Sequence, residues 1–265
     1  MLALLIAAGV AAASAGPAPV LDEAAHAIAA GRLDQARTMI ATAVAQGAAG
    51  EQVDKLMADL EYAAGNYALA LPRYEALLRS PGADPAMAER AGIAALRLGQ
   101  TDKATAFLGR ATAAPTASWR AWNARGVAAD RRSDWDDADR SYARAEALAP
   151  RSAEVANNRA WSLVLRGRWQ DALAPLEKAA ALDPKSKRIA DNLELVRAAV
   201  AAELPRRRPG ESDADFASRL NDAGLAAHIR GDRRRAIAAL SQAIETRSQW
   251  FERAANNLKL VEARP

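Results

Sequence analysis

Apolar residues recur along this chain with the period of a helix, most plainly between Trp119 and Pro150. Trp119, Trp122, Gly126 and Ala129 fall three or four residues apart, which places them on one face of a helix. After a polar turn, Trp135, Ala138, Tyr142, Ala145 and Leu148 do the same. Pro150 ends the second run, because proline lacks the backbone N–H that a continuing helix requires. The stretch therefore predicts two short amphipathic helices packed as a pair. Gly126 and Ala138 stand where the two would cross, since a large side chain at either would hold the backbones apart. A single hairpin of this kind cannot bury its own apolar face and needs neighbours.

The neighbours stand in register. Ala36, Ala70, Ala104, Ala138 and Ala172 are spaced 34 apart. Four residues after each comes a larger side chain: Ile40, Tyr74, Leu108, Tyr142 and Leu176. The small residue of the first helix recurs as Ala24, Ala58, Gly92, Gly126 and Ala160, and turn glycines as Gly31, Gly65, Gly99 and Gly167. Asp183-Pro184 closes one unit as Ala149-Pro150 closes another. This small, large and proline pattern resembles the tetratricopeptide repeat family. The resemblance implies an all-α fold, a tetratricopeptide repeat α-solenoid in which antiparallel helix pairs wind as a right-handed superhelix.

The frames start at residues 17, 51, 85, 119 and 153, and a lone helix follows from 187. Its partner is missing, because the position of the next alanine falls in Pro205-Arg206-Arg207-Arg208-Pro209-Gly210, which reads as a solvated loop and a mobile joint. The frame resumes four residues early with Gly224, Gly231, Ala236, Leu240 and Ala243. The expected organisation is a signal peptide over 1–15, a solenoid over 16–203, an Arg/Pro-rich linker over 204–216, and a C-terminal repeat over 217–265. That last segment includes a capping helix from Trp250 to Ala263.

Residues Met1–Ala15 are apolar and end in Ala13-Ser14-Ala15, a small-x-small pattern before Gly16 that reads as a secretory signal, although no Lys or Arg precedes the apolar run. Export to a periplasm is the expectation; an uncleaved inner-membrane anchor is the alternative. The chain has no cysteine, so a lipid anchor on a thiol is not expected. The net charge of +4 over 265 residues is too small and too dispersed to suggest a nucleic-acid partner.

Candidate chemistry is sparse. His26 and His228 stand far apart with no metal-ligand spacing, and no phosphate-binding loop is present, so neither a metal nor a cofactor is expected. Asp134, Asp136, Asp137 and Asp139 read as helix-start residues rather than a catalytic pair. The reading is of a binding protein and not an enzyme.

The family resemblance implies an inner groove lined by first helices, and it assigns to that groove Arg90, Arg120, Asn123, Val127, Asn157, Asn158, Trp161 and Asn192. Amide side chains there suit the backbone of an extended peptide, and Trp161 is either an anchor for it or a packing residue. The carboxylate clamp of chaperone-binding members is not expected, because Lys55 is followed by Asp59 where that clamp has Asn. Two segments, Ala156–Ala198 and Ser248–Ala263, resemble the repeat proteins of tight-adherence (Flp-type) pilus assembly. That resemblance implies a protein partner among pilus or secretin assembly components. A generic envelope scaffold, for cell-wall or outer-membrane assembly, and a non-catalytic subunit of an envelope enzyme are the alternatives.

Overall fold

The computed structural model describes residues 17–80, 84–200, 204–246 and 251–263. The expected signal peptide lies outside the described residues, as does Trp250 of the expected capping helix. The described residues form helices and turns with no strand, and none of the helices is long and apolar enough to cross a membrane. The chain divides into two compact units, residues 1–117 and 118–265.

In the first unit, α1 (Pro17–Ala29) pairs with α2 (Leu33–Ala45), α3 (Glu51–Ala63) with α4 (Tyr67–Leu77), and α5 (Pro85–Arg97) with α6 (Thr101–Thr112). In the second, α7 (Trp119–Arg131) pairs with α8 (Trp135–Leu148) and α9 (Ala153–Leu165) with α10 (Trp169–Leu182). There α11 (Lys187–Val200) lies against α10. Next come α12 (Asp213–Ile229), α13 (Arg233–Thr246) and α14 (Glu252–Glu262).

The alanine column explains why the pairs close. Ala36, Ala70, Ala104, Ala138 and Ala172 are each 0% exposed, and the larger residues four positions on are also buried. At Gly126 the fit leaves no room for a side chain: a Cβ there would meet the Tyr142 ring at 2.7 Å. Each pair is joined by a turn that needs a left-handed residue, and Gly167, at φ 72, supplies it in the fifth repeat. In the fourth repeat the same place is held by Ser133 at φ 57, a strained choice for a residue with a Cβ. The expected acidic helix start is present beside it, where the Asp134 carboxylate accepts from the Asp137 N–H.

The segment after α11 departs from the expectation. The linker ends earlier than residue 216, because Ser212 caps α12 by accepting from the Asp215 N–H at 3.1 Å, and the helix begins at Asp213. Arg206–Arg208 are exposed but tied down. The Arg206 carbonyl accepts from Arg219, Arg207 pairs with Asp213 at 2.6 Å, and Arg208 reaches Glu194 of α11 at 3.3 Å. At the C-terminal end of α11, Arg230 donates to the Ala199 carbonyl and Arg235 to that of Ala198.

Candidate functional site

The first helices of the second unit are joined along one face by a run of side-chain amides. Asn123 and Asn157 stand three residues before the small residues Gly126 and Ala160, and Asn158 and its counterpart Asn192 one residue later in register. The structure uses that offset as a rule. Asn158 donates to the Asn123 carbonyl oxygen at 3.2 Å, and Asn192 donates to that of Asn157 at 2.8 Å. Within α9, Asn157 donates to Asn158 at 3.3 Å. The other end of the run is held by Asn123, which donates to Glu154 at 3.2 Å.

The eight groove residues therefore separate by role. Asn123 and Asn157 are 4% and 1% exposed, so their amides hold neighbouring first helices in register rather than face a ligand. Asn158 and Asn192 are half-buried, and the Asn192 carbonyl oxygen accepts nothing from the described residues. Trp161 is half-buried and rests against the cluster that contains Leu193 and Trp169, so it is packed on one side and open on the other. Val127 packs against Ala129, Ala138 and Tyr142. Arg120 is exposed, with its guanidinium 4.5 Å from the centre of the Trp119 ring. Arg90 belongs to the other unit, where it donates to Asp59 at 2.5 Å beside the Tyr74 hydroxyl, itself 2.6 Å from the same carboxylate.

Beneath this face lies a buried acid. Asp130, 8% exposed, accepts from the Tyr142 hydroxyl at 2.7 Å and from the Ser162 hydroxyl at 2.6 Å, linking the fourth repeat to the fifth. Burial pushes its carboxyl above the ordinary value, against the pull of Ser162, Tyr142 and Arg166. On the outer side of the same junction, Arg166 makes a two-pronged contact with Asp139 at 2.8 and 2.6 Å.

Four residues that the sequence reading did not assign extend the face: Asn221 and Asp222 on α12, and Arg253 and Asn257 on α14. Asn257 donates to Asn221 at 2.8 Å, the same offset rule, and Arg253 pairs with Asp222 at 2.8 Å. The signal was present in the doublets Asn221-Asp222 and Asn256-Asn257, which echo Asn157-Asn158. Among the described residues, no group of three or more His, Cys, Asp or Glu is arranged to hold a metal ion.

Comparison with known proteins places the fold. The tetratricopeptide repeat model matches residues 55–118, 90–138 and 123–187, together just over half of the chain. No curated protein matches its sequence. Similar solved structures include a tetratricopeptide repeat protein from Parabacteroides merdae. It is 15% identical, with a TM-score of 0.58 over 93% of this chain and 99% of that one. PilW, described as a widely conserved type IV pilus biogenesis factor, is 16% identical, with a TM-score of 0.58 over 91% of this chain and 98% of that one. YrrB, described as having an unusual peptide-binding site, is 19% identical, with a TM-score of 0.53 over 65% of this chain and 88% of that one. At these identities the likeness is one of fold.

Proposed function

Because the chain belongs to the tetratricopeptide repeat family, we propose that it is a scaffold whose first-helix face in the second unit holds an extended segment of a protein partner. The observation that carries this reading is the state of that face. Asn123 and Asn157 lock the first helices in register, while Asn158, Asn192, Trp161 and Arg120 remain accessible beside them. A face held rigid by buried amides loses little conformational freedom on binding, so more of the contact energy is kept as affinity. Half-buried amides can pair with a peptide backbone, and the open side of Trp161 offers the apolar contact that amides lack.

The same proposal extends to place and partner. The apolar start of the sequence with Ala13-Ser14-Ala15 supports export to a bacterial periplasm. The resemblance of Ala156–Ala198 and Ser248–Ala263 to tight-adherence proteins supports a role in assembling a Flp-type pilus or its secretin. No catalytic step is part of this reading.

Affinity capture from envelope extracts of the native host tests it. The wild-type chain should retain a pilus or secretin component, and the Trp161→Ala chain should retain much less of it at equal folding. Retention of the same proteins by both chains, or of none from the envelope, would overturn the reading.

A further inference from the structure

The offset rule on the first-helix face fails at one step. Between α7 and α9, between α9 and α11, and between α12 and α14, an amide oxygen accepts from the amide one register place later on the next first helix. Between α11 and α12 those two places are held by Asp191 and Asp222. Two ionised carboxylates have no hydrogen to share, so this step is left without its cross-link.

A pocket of about 170 Å³ lies at this step, lined by Lys187, Asp191, Asn192 and Leu195 of α11, Ser218, Asp222 and Leu225 of α12, and Arg253 of α14. It is of a size for one side chain. Its acceptors include the two carboxylates, the unspent Asn192 oxygen and the Ser218 hydroxyl, and its apolar lining is Leu195 and Leu225. Lys187 pairs with Asp191 and Arg253 with Asp222, each at 2.8 Å. These two side chains are 86% and 61% exposed, and each pairs with its own carboxylate and not with the other. What the step lacks is a donor that reaches both.

We propose that this pocket is a subsite for a lysine or arginine side chain of the partner segment, whose cationic end supplies the donor missing between Asp191 and Asp222. An ammonium or guanidinium group carries several N–H donors and a positive charge, so it can bridge two acceptors that repel each other. Its methylenes would lie along Leu195 and Leu225. Burial already raises the Asp222 carboxyl above its ordinary value, against Arg253 and with a further push from Asp191, and a bound cation relieves that strain. The proposal rests on the reading of the first-helix face as a binding surface and names the chemistry of one residue bound there.

The test uses the full chain and three capped tripeptides, Ala-Arg-Ala, Ala-Lys-Ala and Ala-citrulline-Ala, followed by amide chemical shifts. The arginine or lysine peptide should shift the Asn192, Leu195, Ser218, Asp222 and Leu225 amides, and neutral citrulline should not. Asp222→Asn, which restores an amide at this place, should weaken the cationic peptide at least ten-fold with an unchanged melting temperature. Asp191→Asn, at a more exposed position, gives the same reading if the first variant melts early. Equal shifts with citrulline, or none with either cation, would overturn the subsite. Partner capture that needs Trp161 but tolerates Asp222→Asn would overturn it too, and leave the binding face standing. Shifts at this pocket with capture indifferent to Trp161 would instead support the subsite and overturn the wider face.

Discussion

Gly126→Ala is the sharpest test of how the repeats are packed. A Cβ at Gly126 would lie 2.7, 2.8 and 2.9 Å from three carbons of the Tyr142 ring. Carbon atoms prefer about 3.5–4.0 Å, so the ring would have to retreat by roughly 1 Å. It has nowhere to go. Tyr142 is 1% exposed, and its hydroxyl is held by Asp130 at 2.7 Å. Overpacking of this kind costs roughly 1–3 kcal/mol, and loosening a hydrogen bond to a charged group adds about 1.5 kcal/mol or more. Replacing glycine by alanine inside a helix returns about 1 kcal/mol, which leaves a net loss of about 2 kcal/mol. Gly109 provides the control within the same protein, because a Cβ there meets nothing within 4 Å. Gly109→Ala should therefore gain about 0.5–1 kcal/mol. Urea unfolding followed by far-ultraviolet circular dichroism measures both. If Gly126→Ala proved as stable as Gly109→Ala, the packing of α7 on α8 through Tyr142 would be refuted.

Three further outcomes follow from particular residues. Ser133→Gly should stabilise the second unit by about 1 kcal/mol, because glycine adopts the φ of 57 without strain; an unchanged melting temperature would contradict this. Ala172→Leu should cost roughly 1–3 kcal/mol, since Ala172 is 0% exposed at a helix crossing; a parent-like melt would mean the register is wrong. Asp130 should make the wild type lose stability relative to Asp130→Asn as pH rises. Its folded pKa is raised above the ordinary value of 3.8, so the folded state holds the proton longer than the unfolded state. Between the ordinary value and the folded one, wild-type stability then falls with rising pH. Stability measured from pH 3 to 7 should show the two curves separating in that direction, and separation in the opposite direction would refute it.

The repeat frame was legible because each solenoid unit repeats the same local contacts, so one column, Ala36 through Ala172, reports the same crossing five times. The groove was legible only in part. A register places Asn123 and Asn157 on the inner side, but whether an amide there meets a ligand or a neighbour depends on what the next first helix presents. Asn158 and Asn192 present donors, and this draws Asn123 and Asn157 into the packing. The start of α12 was hidden by the broken phase: the frame pointed to Ala217, whereas the local signal of Ser212 followed by Asp213 and Asp215 set the helix. Arg208 of the linker pairs with Glu194 of α11, and no local pattern carries that pairing.

The central claim is that the first-helix face of the second unit meets a protein partner. Site-specific photo-crosslinking in the native host tests it most directly, with the probe placed in turn at Arg120, Asn158 and Trp161 on first helices and at Arg144 and Ala174 on second helices. All five positions have solvent access, so each can report a contact. The account predicts an adduct to one and the same envelope protein from the three first-helix positions and none of it from Arg144 or Ala174. Adducts arising from the second-helix positions alone would contradict it.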